Sequence, residues 1–458
     1  MFAIRRHKMS RKSNKRTRGF LIGVGIVDVI AIIVVLVFFV RHIRLENKDK
    51  KDNASGNEVE YDVNNEEELS SISDISRDNQ KDSDYVTETL ADNITEAEPI
   101  DEAKTYADEM IAKMSLHEKV CQMFIVTPEA ATGYSMVTEA GETSKQALME
   151  YPVCGYIYFS QNLESAEQTK NMLANVKQYG MESNGIPFFT SVDEEGGAVA
   201  RCADKLGTTT FLPMYNYREE GEKTAYDNAY TIASDISEIG FNLDFAPVAD
   251  TWSNSANTVI GTRAYSTDYE EAAKLVASAT RGFNDGGVVS CLKHFPGHGD
   301  TSEDSHRSAA YIHKPLAELM NEDYLPFIAG IDADAGMVMV GHLYLSDEDI
   351  LSEADEYPAS LNYKVITEEL RERLGYDGVV ITDALNMGAI SYYYSSGEAV
   401  KLSVMAGADI MLMPADFKSA VSALEEAVES GEISEERIDE SVRRILILKY
   451  NKLIKKLI

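Results

Sequence analysis

The sequence predicts an α/β fold, a (β/α)8 TIM-type barrel, preceded by an N-terminal transmembrane helix and a disordered acidic linker. From residue 101 onward, eight short apolar runs alternate with longer amphipathic ones. Strands that read as continuous apolar runs are buried on both faces, as in a parallel sheet covered by helices. A separate long apolar segment, residues 19–40, predicts the membrane helix.

The first hundred residues divide into three predicted parts: a basic cytoplasmic tail (1–18), the transmembrane anchor (19–40) and the linker (41–100). The apolar run is long enough to cross a bilayer and too long for the core of a signal peptide. Because basic residues are more numerous on its N-terminal side, we expect a single-pass protein of the cell membrane with the tail in the cytoplasm and everything after the anchor outside. The alternative is a long cleaved signal peptide, which also predicts export.

The net charge argues against one class of partner. The 458 residues carry 76 acidic and 43 basic side chains, so the formal net charge is −33. A field of this sign repels polyanions, so nucleic acid is not an expected partner. The four cysteines are far apart and form no CxxC pair, so neither a disulfide framework nor a zinc knuckle is predicted.

The domain predicted over residues 101–458 contains eight strands. They are 120–126, 154–159, 187–193, 241–250, 288–295, 336–342, 378–384 and 408–413. Helical patterns lie between them, among them 165–180, 222–240, 269–287 and 417–431, and several end in Gly as a helix C-cap does. A final helix within 433–458 closes the fold. Eight such units favour a barrel over a doubly wound sheet, whose first turn is a Gly-rich nucleotide-binding motif that we do not find here.

Polar residues end several of these strands on their carboxyl side. They are Asp193, Asp250, Lys293 with His294, His342 and Asp383. In a barrel the carboxyl ends of all strands meet on one face, where active sites lie.

Three of the eight histidines lie in one stretch, KHFPGHGDTSEDSH, at 293–306. His294 and His298 are four residues apart, as zinc ligands on a helix are, but Pro296 and two glycines prevent a helix and the usual glutamate is missing. A metal site is therefore not expected, and for His298 a structural role in a tight loop is the preferred interpretation.

The same stretch also contains a candidate acid–base pair. Asp304 and His306 are two residues apart, so in an extended or turn segment their side chains project the same way. A carboxylate that accepts from one ring nitrogen leaves the other nitrogen to exchange a proton near neutral pH.

Four motifs in order resemble the family 3 glycoside hydrolases, in their β-N-acetylhexosaminidase branch. They are DEEGGAVAR at 193–201, VIGTR at 259–263, KHFPGHGDTSEDSH at 293–306 and GVVITDALNMGAI at 378–390. The linked set is more specific than any one motif. Larger relatives carry a second α/β domain that supplies a glutamate as the acid. Here the predicted barrel takes up all of residues 101–458, so the resemblance is to the single-domain type, which uses an Asp–His dyad.

The resemblance implies a role for each matching residue. Asp383 corresponds to the nucleophile of a retaining mechanism, and His306, with Asp304 behind it, to the acid/base. The residues that correspond to sugar-hydroxyl contacts are Asp193, Arg201, Arg263, Lys293 and His294. Lys293 and Arg263 are expected to keep Asp383 ionised if they lie near it. Without the resemblance, Asp383 equally suits a helix N-cap or a salt-bridge partner.

The expected activity is that of a retaining exo-β-N-acetylglucosaminidase that acts on terminal β-N-acetylglucosaminides, with cell-wall (peptidoglycan) fragments as a substrate suggested by the location. The alternatives are a β-glucosidase or a β-N-acetylglucosaminide phosphorylase of the same family, and an inactive glycan-binding envelope protein. No cofactor is expected. The expected partners are N-acetylglucosamine-containing glycans and the membrane.

Overall fold

The computed structural model describes residues 101–302, 310–345 and 357–455, and its centre is a ring of eight short parallel strands. The ring strands are β1 (Phe124–Val126), β2 (Gly155–Ile157), β3 (Phe189–Val192), β4 (Leu243–Asp244), β5 (Cys291–Phe295), β7 (Met337–Val340), β9 (Val379–Thr382) and β10 (Met411–Leu412). Two further strands, β6 (Ala310–Ile312) and β8 (Leu343–Leu345), pair with each other outside the ring.

Backbone pairing closes the ring. Strands β10, β1, β2, β3 and β4 form one ladder, and β5, β7 and β9 form another. The ladders meet at the bridges Leu243↔Val289 and Val248↔Lys293 on one side and at Ile381↔Ile410 on the other. All of these pairings are parallel, so the eight carboxyl ends lie on one face of a closed barrel. Within the described residues, the predicted (β/α)8 barrel is confirmed.

The barrel interior is filled with apolar side chains. Each ring strand contributes to one buried cluster, with Ile125, Ile157, Phe189, Leu243, Cys291, Met339, Ile381 and Leu412 among its members. Ile445 and Leu448, from the last α-helix, complete the cluster at the amino ends of the strands. Lys449 follows them, fully buried, and its Nζ donates to Gln122 Oε1 and to the carbonyl of Cys154, each at 3.0 Å. The barrel is therefore a packed core that α14 covers at the amino ends of the strands.

Helices surround the ring. They are α1 (Glu102–Ile111), α2 (Leu116–Gln122), α3 (Pro128–Thr132), α4 (Glu142–Glu150), α5 (Ala166–Asn184), α6 (Ala203–Leu206), α7 (Glu222–Ile239), α8 (Tyr269–Asp285), α9 (Leu316–Asn321), α10 (Leu325–Asp332), α11 (Gly388–Ser391), α12 (Ser396–Ala406), α13 (Phe417–Glu429) and α14 (Glu435–Lys449). The described residues also contain two π-helical segments, Lys364–Arg373 and Tyr450–Ile454, and four 3₁₀ segments, Ser160–Asn162, Met214–Glu220, Gly261–Arg263 and Ala359–Leu361.

Local sequence signals explain where the long helices begin and end. The side chains of Ser165, Asp268 and Ser434 each accept a backbone N–H at the start of α5, α8 and α14. The pattern predicted that α5 ends at Gly180, but the helix continues to Asn184 and its left-handed cap is Gly185, with φ 75°. Gly180 serves close packing instead, because an added Cβ would lie 2.7 Å from the Phe188 ring.

All eight predicted strands are present, and each is shorter than its apolar run. The prediction for the first strand was wrong at its start, since residues 120–122 belong to α2. There Ser115 and Glu118 form a capping box, with Glu118 Oε2 accepting from Ser115 N at 2.8 Å, and the helix it starts ends only at Gln122. Strands β6 and β8 were not predicted.

The predicted tail, anchor and linker, residues 1–18, 19–40 and 41–100, lie outside the described residues, and so does the end of the chain after residue 455. Within the ranges that the structure describes, no helix combines the length and the apolar character that crossing a bilayer requires.

Candidate active site

Lys293 lies at the centre of a buried charge network at the carboxyl end of the barrel. Its Nζ donates to Asp193 Oδ1 at 2.8 Å and to Glu195 Oε1 at 2.6 Å. Glu195 also accepts from Nε and Nη2 of Arg263, both at 2.8 Å, in a two-point contact. Two cations and two carboxylates therefore alternate across the mouth, joining the segment after β3, strand β5 and the 3₁₀ segment Gly261–Arg263.

The network favours the charged forms of Lys293 and Glu195. Burial lowers the pKa of Lys293, but the charges of Asp193 and Glu195 outweigh burial and the pKa lies above its ordinary value. Burial raises the pKa of Glu195, but Arg263 and Lys293 reverse this effect and the pKa lies well below its ordinary value. Lys293 and Glu195 thus favour their charged forms in a site shielded from water.

A second buried cluster orients His294. Asp250 accepts from the backbone N–H of His294 at 3.1 Å and from that of His298 at 2.7 Å, and its Oδ2 lies 2.7 Å from His294 Nδ1. Burial raises the pKa of Asp250, but its interactions with His294 and His298 bring it below its ordinary value. An ionised Asp250 favours a proton on Nδ1 of His294, so that Nε2 becomes the acceptor nitrogen.

His298 has the structural role that its sequence context favours. Its ring Nδ1 lies 2.8 Å from Thr301 Oγ1, and its carbonyl accepts from Asn257 Nδ2 at 2.7 Å. The side chain is buried, and burial lowers its pKa. His298 therefore helps to hold the turn that follows β5.

Asp383 follows β9 directly and lies at the same mouth. Its backbone N–H donates to the carbonyl of Val340, and its Oδ1 accepts from Ala384 N at 2.7 Å. Strand β9, which Asp383 follows, and strand β5, which carries Lys293, lie on either side of β7 in the ring. The interpretation of Asp383 as a helix N-cap is wrong, because the cap of the next helix, α11, is Met387.

The next polar residue at the mouth, His342, supports the Asp383 segment. Its Nδ1 lies 2.7 Å from Ser360 Oγ and its Nε2 lies 3.0 Å from the carbonyl of Ala384. His342 thus links the segment after β7 to the peptide that follows Asp383.

Arg201 lies on the loop after β3. Its backbone N–H donates to Glu194 Oε2, and its guanidinium lies 6.0 Å from the centre of the Phe159 ring. Within the described part of the chain, its buried Nε has no hydrogen-bond partner. A buried donor without a partner is costly, so a ligand acceptor at this point is expected.

Comparison with known proteins places the chain in a family. The sequence profile "Glycosyl hydrolase family 3 N terminal domain" matches residues 115–448. The chain belongs to glycosyl hydrolase family 3. The matched range includes every strand of the ring and all four motifs of the sequence resemblance, which the match confirms.

Family 3 relatives with similar sequences are named as β-hexosaminidases. Beta-hexosaminidase A of Pseudoalteromonas piscicida is 32% identical over 335 residues, which are 69% of this chain and 56% of that protein. Beta-hexosaminidase LpqI of Mycobacterium tuberculosis is 34% identical over 272 residues, which are 58% of this chain and 68% of that protein.

A solved family 3 structure has a similar fold. The family 3 β-N-acetylglucosaminidase of Paenibacillus sp. str. FPU-7 superposes with a TM-score of 0.69 at 38% identity, covering 75% of this chain and 63% of that one. The chain thus spans 56% of the length of the Pseudoalteromonas relative and 63% of that of the Paenibacillus enzyme.

The sequence analysis did not predict a role for two carboxylates of this family 3 site, Glu194 and Glu195. Glu195 binds both Lys293 and Arg263, and Glu194 accepts from the N–H groups of Cys202 and Ala203, which fixes the loop that carries Arg201. The run of three acids at 193–195 was the available signal. This run of acids does not indicate which way each side chain points. Side chains alternate between the two faces only within a strand, and β3 ends at Val192.

The structure brings five predicted residues to the mouth of this family 3 barrel: Asp193, Arg263, Lys293, His294 and Asp383, with Arg201 on the adjacent loop. The predicted dyad, Asp304 and His306, lies outside the described residues. In the described ranges, no three His, Cys, Asp or Glu side chains are grouped as a metal site requires.

Proposed function

We propose that the protein is a membrane-anchored, retaining exo-β-N-acetylglucosaminidase that removes terminal N-acetylglucosamine from glycans, with cell-wall fragments as its substrate. The observation that carries the proposal is the ion network of Lys293, Asp193, Glu195 and Arg263 at the same mouth as Asp383. The names of the relatives, β-hexosaminidase and β-N-acetylglucosaminidase, support the choice of sugar.

The ion network suits recognition of a sugar that is bound at its non-reducing end. Lys293 and Arg263 donate and Asp193 accepts, and the neighbouring carboxylates hold the pKa of Lys293 above its ordinary value. Hydroxyl groups both donate and accept, so alternating charges satisfy them in one orientation only.

The chemistry requires two groups on opposite sides of the glycosidic bond. We assign the nucleophile to Asp383, which attacks C1 and forms a glycosyl-aspartate ester while the leaving oxygen departs. His306, oriented by Asp304, gives that oxygen its proton. The same imidazole then takes a proton from water, which attacks C1 and releases Asp383 as a carboxylate. Two displacements at C1 return the β configuration.

The membrane assignment comes from residues 19–40 alone. An apolar run of this length with basic residues on its N-terminal side is typical of a single-pass anchor with its C-terminal domain outside the membrane. This location would bring the barrel close to wall glycans.

The activity is tested with the purified full-length chain and 4-nitrophenyl β-N-acetylglucosaminide. We expect turnover of this substrate in preference to the β-glucoside, and a loss of at least about 1000-fold in kcat for Asp383→Asn. Asp377→Asn is the matched control, because Asp377 is exposed and precedes β9 instead of following it. NMR of the first product is expected to show the β anomer.

Other results would contradict parts of the proposal. A wild-type rate in Asp383→Asn refutes the nucleophile, and a preference for the glucoside refutes the sugar. Release of a sugar 1-phosphate in phosphate buffer identifies a phosphorylase. Absence of turnover of both aryl substrates supports the inactive glycan-binding alternative.

A further inference from the structure

Asp244 is a fully buried carboxyl group that has no part in the chemistry proposed above. It is the last residue of β4, and its exposed fraction is 0%. Its Oδ1 accepts from the backbone N–H of Glu194 at 2.9 Å. Within the described part of the chain, its Oδ2 has no hydrogen-bond partner. The side-chain bond of Asp244 therefore fixes the backbone of the segment that follows β3.

The segment that Asp244 fixes carries the two carboxylates that bind Lys293. Glu194 lies between Asp193 and Glu195, whose side chains accept from Lys293 Nζ at 2.8 and 2.6 Å. The bond from the Glu194 N–H to Asp244 holds the backbone between these two carboxylates. A shift of this backbone would move both of them away from Lys293 together.

The side chain of Glu194 extends the connection to the loop that carries Arg201. Its Oε2 accepts from the N–H groups of Arg201 and of Cys202, the latter at 2.8 Å, and its Oε1 accepts from that of Ala203 at 3.3 Å. Three consecutive N–H groups thus converge on one carboxylate, which is 3% exposed. A continuous chain of hydrogen bonds therefore leads from Asp244 through Glu194 to the backbone of Arg201.

The surroundings of Asp244 favour its neutral form. Burial is the largest effect and raises the pKa of Asp244 well above its ordinary value. The charges of Glu194 and Asp193 raise it further, and the opposing effects of the Glu194 N–H and of Lys293 do not reverse this. A neutral carboxyl group keeps the carbonyl oxygen that the Glu194 N–H requires, and the amide of asparagine offers the same acceptor in the same shape.

We propose that Asp244 and Glu194 are positioning residues for substrate binding: Asp244 holds the backbone of Glu194, and Glu194 holds the loop on which Arg201 lies. This inference rests on the proposed function. The groups that they position are Asp193, a sugar contact in that proposal, and Arg201, whose buried Nε has no partner among the described residues. Because they act on groups that bind the sugar and not on Asp383, their loss should raise KM and leave kcat nearly unchanged.

The kinetic test uses the purified full-length chain and 4-nitrophenyl β-N-acetylglucosaminide. Asp244→Leu has a similar shape but no acceptor, and we expect its KM to rise about 5- to 10-fold while kcat changes by less than about 2-fold. Asp244→Asn keeps the acceptor and is expected to retain the wild-type KM.

Asp250→Asn is the matched control for the asparagine variant. Asp250 is 1% exposed and lies six residues after Asp244, but its interactions with two histidines lower its pKa and favour the ionised form. The same substitution there removes the charge that orients His294, so kcat/KM should fall about 10-fold or more.

A second measurement follows the loop itself and does not require activity. The four cysteines are free and buried: Cys121, Cys154, Cys202 and Cys291. Cys202 lies in the loop held by Glu194. In Asp244→Leu we expect iodoacetamide to label Cys202 about 10-fold faster than in the wild type, while the other three stay protected, as mass spectrometry of the labelled peptides would show.

Glu194→Gln provides the same test if Asp244→Leu does not fold. The amide nitrogen of glutamine is a donor and cannot accept from the N–H groups that the carboxylate binds, so we expect the same rise in KM and the same selective labelling of Cys202. Equal labelling of all four cysteines in Glu194→Gln would mean that the substitution unfolds the barrel, and would overturn the positioning role.

Other results would also overturn the inference. An unchanged KM and a protected Cys202 in both variants mean that the loop does not depend on these carboxyl groups. A loss in Asp244→Asn as large as that in Asp244→Leu means that Asp244 does not act as a neutral acceptor. If the wild-type chain hydrolyses no aryl substrate, the proposed function fails, but selective labelling of Cys202 still supports the positioning of the loop.

Discussion

At Lys293, one ammonium group is shared by two carboxylates inside the mouth of the barrel, and one of these carboxylates also binds a guanidinium. A buried charge that loses its partner costs far more than an exposed pair contributes. The residues that bind the sugar in our proposal are therefore also residues on which the local fold depends.

Substitution of Lys293 tests both roles together. For Lys293→Met we expect the free energy of unfolding to fall by about 3–5 kcal/mol, because Asp193 loses its cation and Glu195 keeps only Arg263. We expect kcat/KM to fall by about 100-fold or more, through the loss of a charged donor. Urea denaturation, followed by fluorescence of the chain's one tryptophan, Trp252, measures the first effect.

The matched control is Lys170→Met, which breaks an exposed pair with Glu238. Its effect on the free energy of unfolding should stay below about 1 kcal/mol. Equal free energies of unfolding for Lys293→Met and Lys170→Met would mean that the buried network contributes little to stability.

At the scale of an element, α14 is the floor of the barrel. It is far from every strand in the sequence except β10, yet its Ile445 and Leu448 belong to the same cluster as the strand interiors. The helix thus completes a core that the strands leave open at their amino ends.

Because α14 covers the barrel core, we expect substitutions of two isoleucines in this helix to differ in their effect on the free energy of unfolding. Ile445→Ala should lower the free energy of unfolding by about 2–5 kcal/mol, because a fully buried side chain leaves a cavity in a closed core. Ile447→Ala, on the half-buried face, should cost clearly less. Chemical denaturation of both variants measures the difference, and equal costs would mean that α14 does not seal the barrel. The kcat per folded molecule should be unchanged in both.

How well the elements were predicted depended on whether their signal was local. The alternation of apolar runs and helical patterns located all eight ring strands because burial on two faces leaves a continuous apolar run. The predicted start of β1 was wrong because the Ser115–Glu118 capping box starts a helix, α2, that extends into the apolar run 120–126. Strands β6 and β8 have only three residues each, and their pairing joins the segments that follow β5 and β7.

For the whole molecule, the parallel ring places all carboxyl ends on one face and the floor on the other. The proposed anchor adds an orientation relative to the membrane. In intact cells we expect the full-length chain in the membrane fraction, resistant to a high-salt wash, with its catalytic domain cut by protease added from outside.

A variant without residues 19–40 provides the control for the anchor and should leave the membrane fraction. Recovery of the wild-type chain in the cytosol, or protection from external protease, would contradict the anchor and its orientation. A soluble exported chain that begins after residue 40 would identify the segment as a cleaved signal peptide.

The sequence by itself determined the barrel, its strand order along the chain and the polar residues at the strand ends, because these depend on periodicity and composition within short segments. Only the tertiary structure decided which side chains meet. Three contacts join segments that are far apart in the sequence. They are the ion pair of Lys293 with Glu195, the contact of His294 with Asp250, and the contact between the tyrosines of β6 and β8. Side-chain direction beyond the end of a strand has no period to follow, so it is set by packing alone.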